Sequence, residues 1–114
     1  MAITGVHTLI YSSEADAVRE IMQDAFGWHS VDAGDGWLIF ATPPGEMAVH
    51  PGERPRHEIT LMCDDLKSTM ADLAEKAVQF VDGPSDEGWG VVVTMLLPGD
   101  VKMLLYEPRH ETAF

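Results

Sequence analysis

The 114-residue chain predicts an α+β protein made from one unit, β-α-β-β-β, used twice. Three observations carry that expectation. A β-branched apolar run opens each half, a capped amphipathic stretch follows it, and Gly- and Pro-rich turns then separate three short strand candidates. One order of elements met twice outranks local propensity as a guide to architecture. The length suits a single domain, 1–114, with one module over about 3–52 and a second over about 56–110.

GVHTLIY is a β-branched apolar run and reads as a buried strand. SSEADAVREIMQDAFGW follows, with a Ser cap and an acidic first turn. Its Ala17, Val18, Ile21, Met22 and Phe26 fall at helical spacing, and Gly27 suits the stop. Three strand candidates complete the half: the stretch near Ser30 to Asp32, GWLIFAT and EMAVH, punctuated by Gly34, Gly36 and the turn PPGE. In the second half HEITLMC reads as a strand. DDLKSTMADLAEKAV reads as an acidic-capped helix with Leu66, Met70 and Leu73 on one face. VQFV, WGVVVTMLL and VKMLLYE supply the last strands, with PGD as the final turn.

Aligning the halves sets polar residues against each other. Pro44-Gly45 before MAVH matches Pro98-Gly99 before the last strand, which sets His50 against Leu104. YSSEAD matches MCDDLK, which sets His7 against Glu58.

Composition narrows the partners. The formal net charge is −12, a surface that repels phosphate backbones and anionic membranes, so nucleic acid and membrane partners are not expected. Cys63 is the only cysteine, which excludes an internal disulfide and a Cys-based zinc site; its place in ITLMC suits a buried small hydrophobe. No apolar run approaches bilayer length, and MAITGVHTLIY lacks the basic start of a signal peptide, so a cytoplasmic protein is expected. P-loop, dinucleotide, GxSxG and HExxH motifs are all missing.

The repeated unit, with VHTLIYS, GWLIFATPPGEMAVHP, HEITLMCDDL, GWGVVVTMLLPGD and LLYEP, resembles the vicinal oxygen chelate superfamily. That group holds glyoxalase I enzymes, extradiol dioxygenases, fosfomycin-resistance transferases and bleomycin-binding proteins. The resemblance implies two modules curling a mixed sheet into a cup, a homodimer, and ligands at inward positions on the first and last strand of each module. Those positions fall on His7, His50, Glu58 and Leu104.

Two functions follow from the resemblance. In one, His7, His50 and Glu58 hold Fe(II), Mn(II), Ni(II) or Zn(II) in a metal-dependent, glyoxalase- or dioxygenase-like enzyme acting on a small oxygen-rich or aromatic molecule. Two histidines and one carboxylate leave coordination positions open for vicinal substrate oxygens. In the other, the chain is a metal-free binding protein that sequesters a ligand, in the manner of the bleomycin-binding members. Leu104 favours the second, because metal enzymes of the group usually carry a Glu there and a Leu cannot ligate, but three ligand-type residues on repeat-equivalent positions tip the expectation to the metal-dependent enzyme. Trp37, Trp89, Leu104 and Tyr106 are the candidate substrate contacts. Rings commonly line pockets, Trp89 stands beside Gly on both sides, and Tyr106 shares a strand face with Leu104. His57 faces opposite to Glu58 and would exchange with it on a one-residue slip. His29 and His110 read as surface residues at a helix exit and in the tail.

Overall fold

The structure is a computed structural model that describes residues 7–46, 48–49, 51 and 53–114. Helix α1 (Ala15–Glu20) opens the first half and runs on into a π turn, Ile21–Ala25, that closes at Gly27 with φ 73°. No side chain caps it. Instead Ser12 Oγ accepts from Glu14 N–H at 3.0 Å and donates to the Pro98 carbonyl at 2.7 Å. The Glu14 carboxylate accepts from Gly99 N–H at 2.9 Å, so the start of the helix is tied to the PGD turn. Strands β1 (Ser30–Asp32) and β2 (Leu38–Phe40) form an antiparallel hairpin.

The second half is fuller. β3 (Thr60–Met62) leads into α2 (Leu66–Glu75), followed by β4 (Gln79–Asp86), β5 (Gly90–Leu97) and β6 (Val101–Pro108). Spatial order is β3-β6-β5-β4, with β3 and β6 parallel and the other pairs antiparallel. Two carboxylates satisfy the start of α2: Asp65 accepts from Ser68 N–H at 3.2 Å, and Glu107 from Leu66 N–H at 2.9 Å. This is the α+β class and the glyoxalase-like arrangement of a small mixed sheet with two helices.

One face of the four-stranded sheet carries the core. Val93, Met95, Leu97, Met103 and Leu105 pack there against Leu66 and Leu73 of α2 and Val18 and Ala25 of the first helix. Met95 is fully buried. By strand alternation the opposite face carries Val92, Thr94, Leu104 and Tyr106, and among the described residues no helix residue joins that face in the core cluster.

Two expected strands differ. Residues 7–12 lie outside any strand, with Leu9 53% and Tyr11 85% exposed; the earlier part of GVHTLIY lies outside the described residues. Glu46, Ala48 and Val49 of EMAVH are also outside any strand, and Met47 and His50 are not among the described residues. Propensity makes a segment fit for a strand, but a strand exists only where a neighbour completes its ladder.

Candidate functional site

Register across the sheet places the site. Asp82 pairs with Thr94, Thr94 with Leu104, and Leu104 with Thr60, so these four stand side by side on the uncovered face. The next row runs Ser85, Val92, Tyr106, Met62. Above these rows lies an open concavity of about 300 Å³, with Leu104, Thr94 and Val92 on its floor and Asp82, Ser85, Glu87 and Trp89 around it.

Two features of backbone shape it. β4 is irregular between Phe80 and Ser85, where Gly83 takes φ 91° and comes so close to β5 that a Cβ would stand 2.7 Å from the Val92 carbonyl oxygen. Gly90 leaves the room that the Tyr106 ring occupies, since a Cβ there would lie 2.9 Å from Tyr106 Cδ2. Trp89 then meets Tyr106 edge-on at 5.2 Å between centroids, lines the concavity and remains 48% exposed.

Tyr106 is buried, and its hydroxyl lies 3.0 Å from His110 Nε2. Burial, and then the negative charge of Glu46, push its phenol above the usual tyrosine range, so it stays protonated at neutral pH. Nearby, Arg109 pairs with Asp86 at 2.6 Å, and Arg109 N–H donates to the Trp89 carbonyl at 2.8 Å. The guanidinium, with the Gly88 N–H, holds the Asp86 carboxyl below the usual carboxylate range.

Of the expected contact residues, Leu104 and Trp89 line the concavity and Tyr106 backs Trp89. Trp37 does not join them. It sits before β2, 58% exposed, with the Arg19 guanidinium 5.6 Å from its ring centroid. His7 is exposed and outside the strands, and Glu58 is exposed and ion-paired with Arg56. His50 lies outside the described residues. Among those described, no three His, Cys, Asp or Glu side chains are grouped so as to hold a metal ion. The described donors therefore do not by themselves make up the set that the resemblance implies.

Sequence reasoning missed Asp82, Ser85 and Thr94. Thr94 was visible as the polar member of the alternating WGVVVTMLL, whereas Asp82 and Ser85 face the site only because β4 is irregular. His110 was read as a tail residue, and nothing in its spacing pointed to Tyr106.

No family model matches the chain, and no curated protein matches it by sequence. Solved structures do. TnmS3, an antibiotic binding protein from a Streptomyces species, superposes with a TM-score of 0.68 at 24% identity, covering 95% of this chain and 98% of that one. A member of the glyoxalase/bleomycin resistance protein/dioxygenase superfamily from Sphaerobacter thermophilus gives 0.62 at 22% identity, covering 92% and 98%. A lactoylglutathione lyase from Agrobacterium tumefaciens gives 0.64 at 16% identity, covering 94% and 96%. The likeness in fold to these structures holds along nearly the whole chain, and the fold is the glyoxalase/bleomycin resistance fold.

Proposed function

We propose that the chain binds a small planar molecule, preferably a cation, on the uncovered sheet face and releases it unchanged. One observation carries this reading: Leu104 lines the concavity, and it stands at the position where the resemblance implies a metal-binding carboxylate. Around it, Trp89 offers an aromatic face and Asp82 and Glu87 offer negative charge, in a chain of net charge −12. The antibiotic-binding description of TnmS3 agrees with this reading.

Such a site needs a second wall. The accessible surface is 8701 Å², about 2,500 Å² more than the roughly 6,200 Å² expected of a compact monomer of this mass. The radius of gyration, 15.0 Å, also exceeds the roughly 13 Å expected. Covering such an excess on each of two chains is within the range of obligate homodimer interfaces. A second copy is therefore part of the proposal, as is a cytoplasmic setting. No helix among the described residues is long and apolar enough to cross a membrane.

The test is a fluorescence titration with acridine orange. Micromolar binding, weakened by salt, lost in Trp89→Ala and followed by recovery of unchanged dye is expected. Undiminished binding by Trp89→Ala would remove the site. Sedimentation should show a dimer near 25 kDa, twice the 12.5 kDa chain.

A second reading keeps the metal enzyme, because three ligand-type residues, His7, His50 and Glu58, fall on repeat-equivalent positions. Bound Fe(II), Mn(II), Ni(II) or Zn(II) would supply Lewis acidity toward vicinal oxygens. Elemental analysis after metal loading and dialysis separates the two. Stoichiometric metal that vanishes in His7→Ala establishes the metal site and directs the search to catechols and 2-oxoaldehydes as substrates.

A further inference from the structure

Beyond the concavity, the polar group built around His110 is unclaimed by either reading. Its Nδ1 lies 2.9 Å from the Glu111 carbonyl oxygen. A carbonyl only accepts, so Nδ1 carries the hydrogen, and in the neutral ring Nε2 is the lone-pair nitrogen. Tyr106 Oη, 3.0 Å from Nε2, therefore donates its hydroxyl hydrogen there. Glu46 Oε1 stands 3.9 Å from the same nitrogen, and Glu46 Oε2 accepts from Ala113 N–H at 2.8 Å. The imidazole is thus faced by Tyr106 from β6, by Glu46 from the loop after β2 and by the Glu111 carbonyl. The neighbouring charges are engaged elsewhere: Arg109 with Asp86, and Glu107 with the start of α2.

We propose that His110 is a positioning residue for the Trp89–Tyr106 wall, and that its protonation reverses the Tyr106–His110 hydrogen bond. In the neutral state the phenol hydrogen is held by Nε2 and the ring is fixed against Trp89. In the protonated state Nε2 becomes a donor, turned toward the Glu46 carboxylate or the Tyr106 oxygen, and the phenol hydrogen loses its acceptor. The wall then has a free O–H beside it. The consequence for ligands rests on the binding reading above; the switch itself does not.

The experiment needs no ligand. In a protein carrying Trp28→Phe and Trp37→Phe, Trp89 is the only tryptophan, and its selectively excited emission is followed from pH 5 to 8 beside the ring signals of His110 by NMR. The expected result is one emission transition that coincides with the titration of His110. His110→Gln, whose amide oxygen still accepts from the phenol, should keep the neutral-state emission and lose the transition. Tyr106→Phe keeps the ring beside Trp89 and should lose it too. A transition that persists in either variant, or a titrating His110 with flat Trp89 emission, overturns the proposal. A failed dye titration alongside an intact optical transition would sink the binding reading alone.

Discussion

Replacing Gly90 by alanine probes the wall from beneath. Gly90 does not take a left-handed φ, so alanine is compatible with its backbone. Propensity alone would favour alanine by about 0.5–1 kcal/mol, through the smaller entropy lost on folding. The added methyl, however, would stand 2.8 Å from the Glu107 carbonyl oxygen and 2.9 Å from Tyr106 Cδ2. The ring can shift, but the carbonyl belongs to β6 and is fixed by the ladder on either side. Overpacking of this kind costs about 1–3 kcal/mol, which outweighs the entropic gain and leaves a net loss of about 1–2 kcal/mol. In a domain of this size that lowers the melting temperature by about 5–10 °C. Thermal melts at one fixed protein concentration, with Trp89 emission recorded alongside, measure both effects. Gly88→Ala is the companion: nothing lies within 4 Å of its Cβ position, but its φ is +83°, so it should lose stability by strain without displacing Tyr106. A Gly90→Ala protein melting at or above the parent would refute the reasoning.

Further outcomes follow from other contacts. Met95→Ala removes a fully buried side chain and should cost about 2–5 kcal/mol in urea melts, a large part of any small domain's stability. Asp86, held low by Arg109, contributes stability that is present at neutral pH and lost as pH falls through its folded value; carboxyl NMR should show its titration moving up toward the ordinary range in Arg109→Met. Burial pushes the Cys63 thiol up, with the Thr69 hydroxyl acting the other way and nearby carboxylates adding to the rise. Native protein should therefore resist iodoacetamide at pH 7 and react once unfolded in urea, as mass spectrometry would show; full alkylation of native protein within minutes would contradict this.

What the sequence made legible is what side-chain patterns encode. Asp65 as a cap and Leu66, Met70 and Leu73 on one face mark α2, and Leu66 and Leu73 are buried as that spacing requires. Leu104 was marked by the alignment of the two halves and by the resemblance, and Trp89 by its flanking glycines. The π turn was not legible, because Phe26 N–H reaching Ile21 O at 3.0 Å is a change of backbone register that leaves the apolar spacing almost unaltered. The sequence suggests only the short VQFV for β4, yet irregular pairing carries the strand through Gly83 and Pro84 to Asp86. His110 reaches Tyr106 only through the path of the tail, which periodicity does not encode.

The order of strands also sets which part of the molecule holds longest. β4, β5 and β6 succeed one another through the short turns 87–89 and 98–100, so most of their pairing is local in sequence. β3 has to wait, since Thr60 meets Leu104 only after α2 and two strands lie between them. Local pairing forms early, and this meander carries the fully buried Val93, Met95 and Leu97. Amide exchange should therefore be slowest along β5 and fastest at the described residues between 41 and 58, whose side chains are all exposed. The floor under Leu104 would then belong to the most persistent unit of the chain, while Glu46, which anchors the tail, belongs to the most readily opened one.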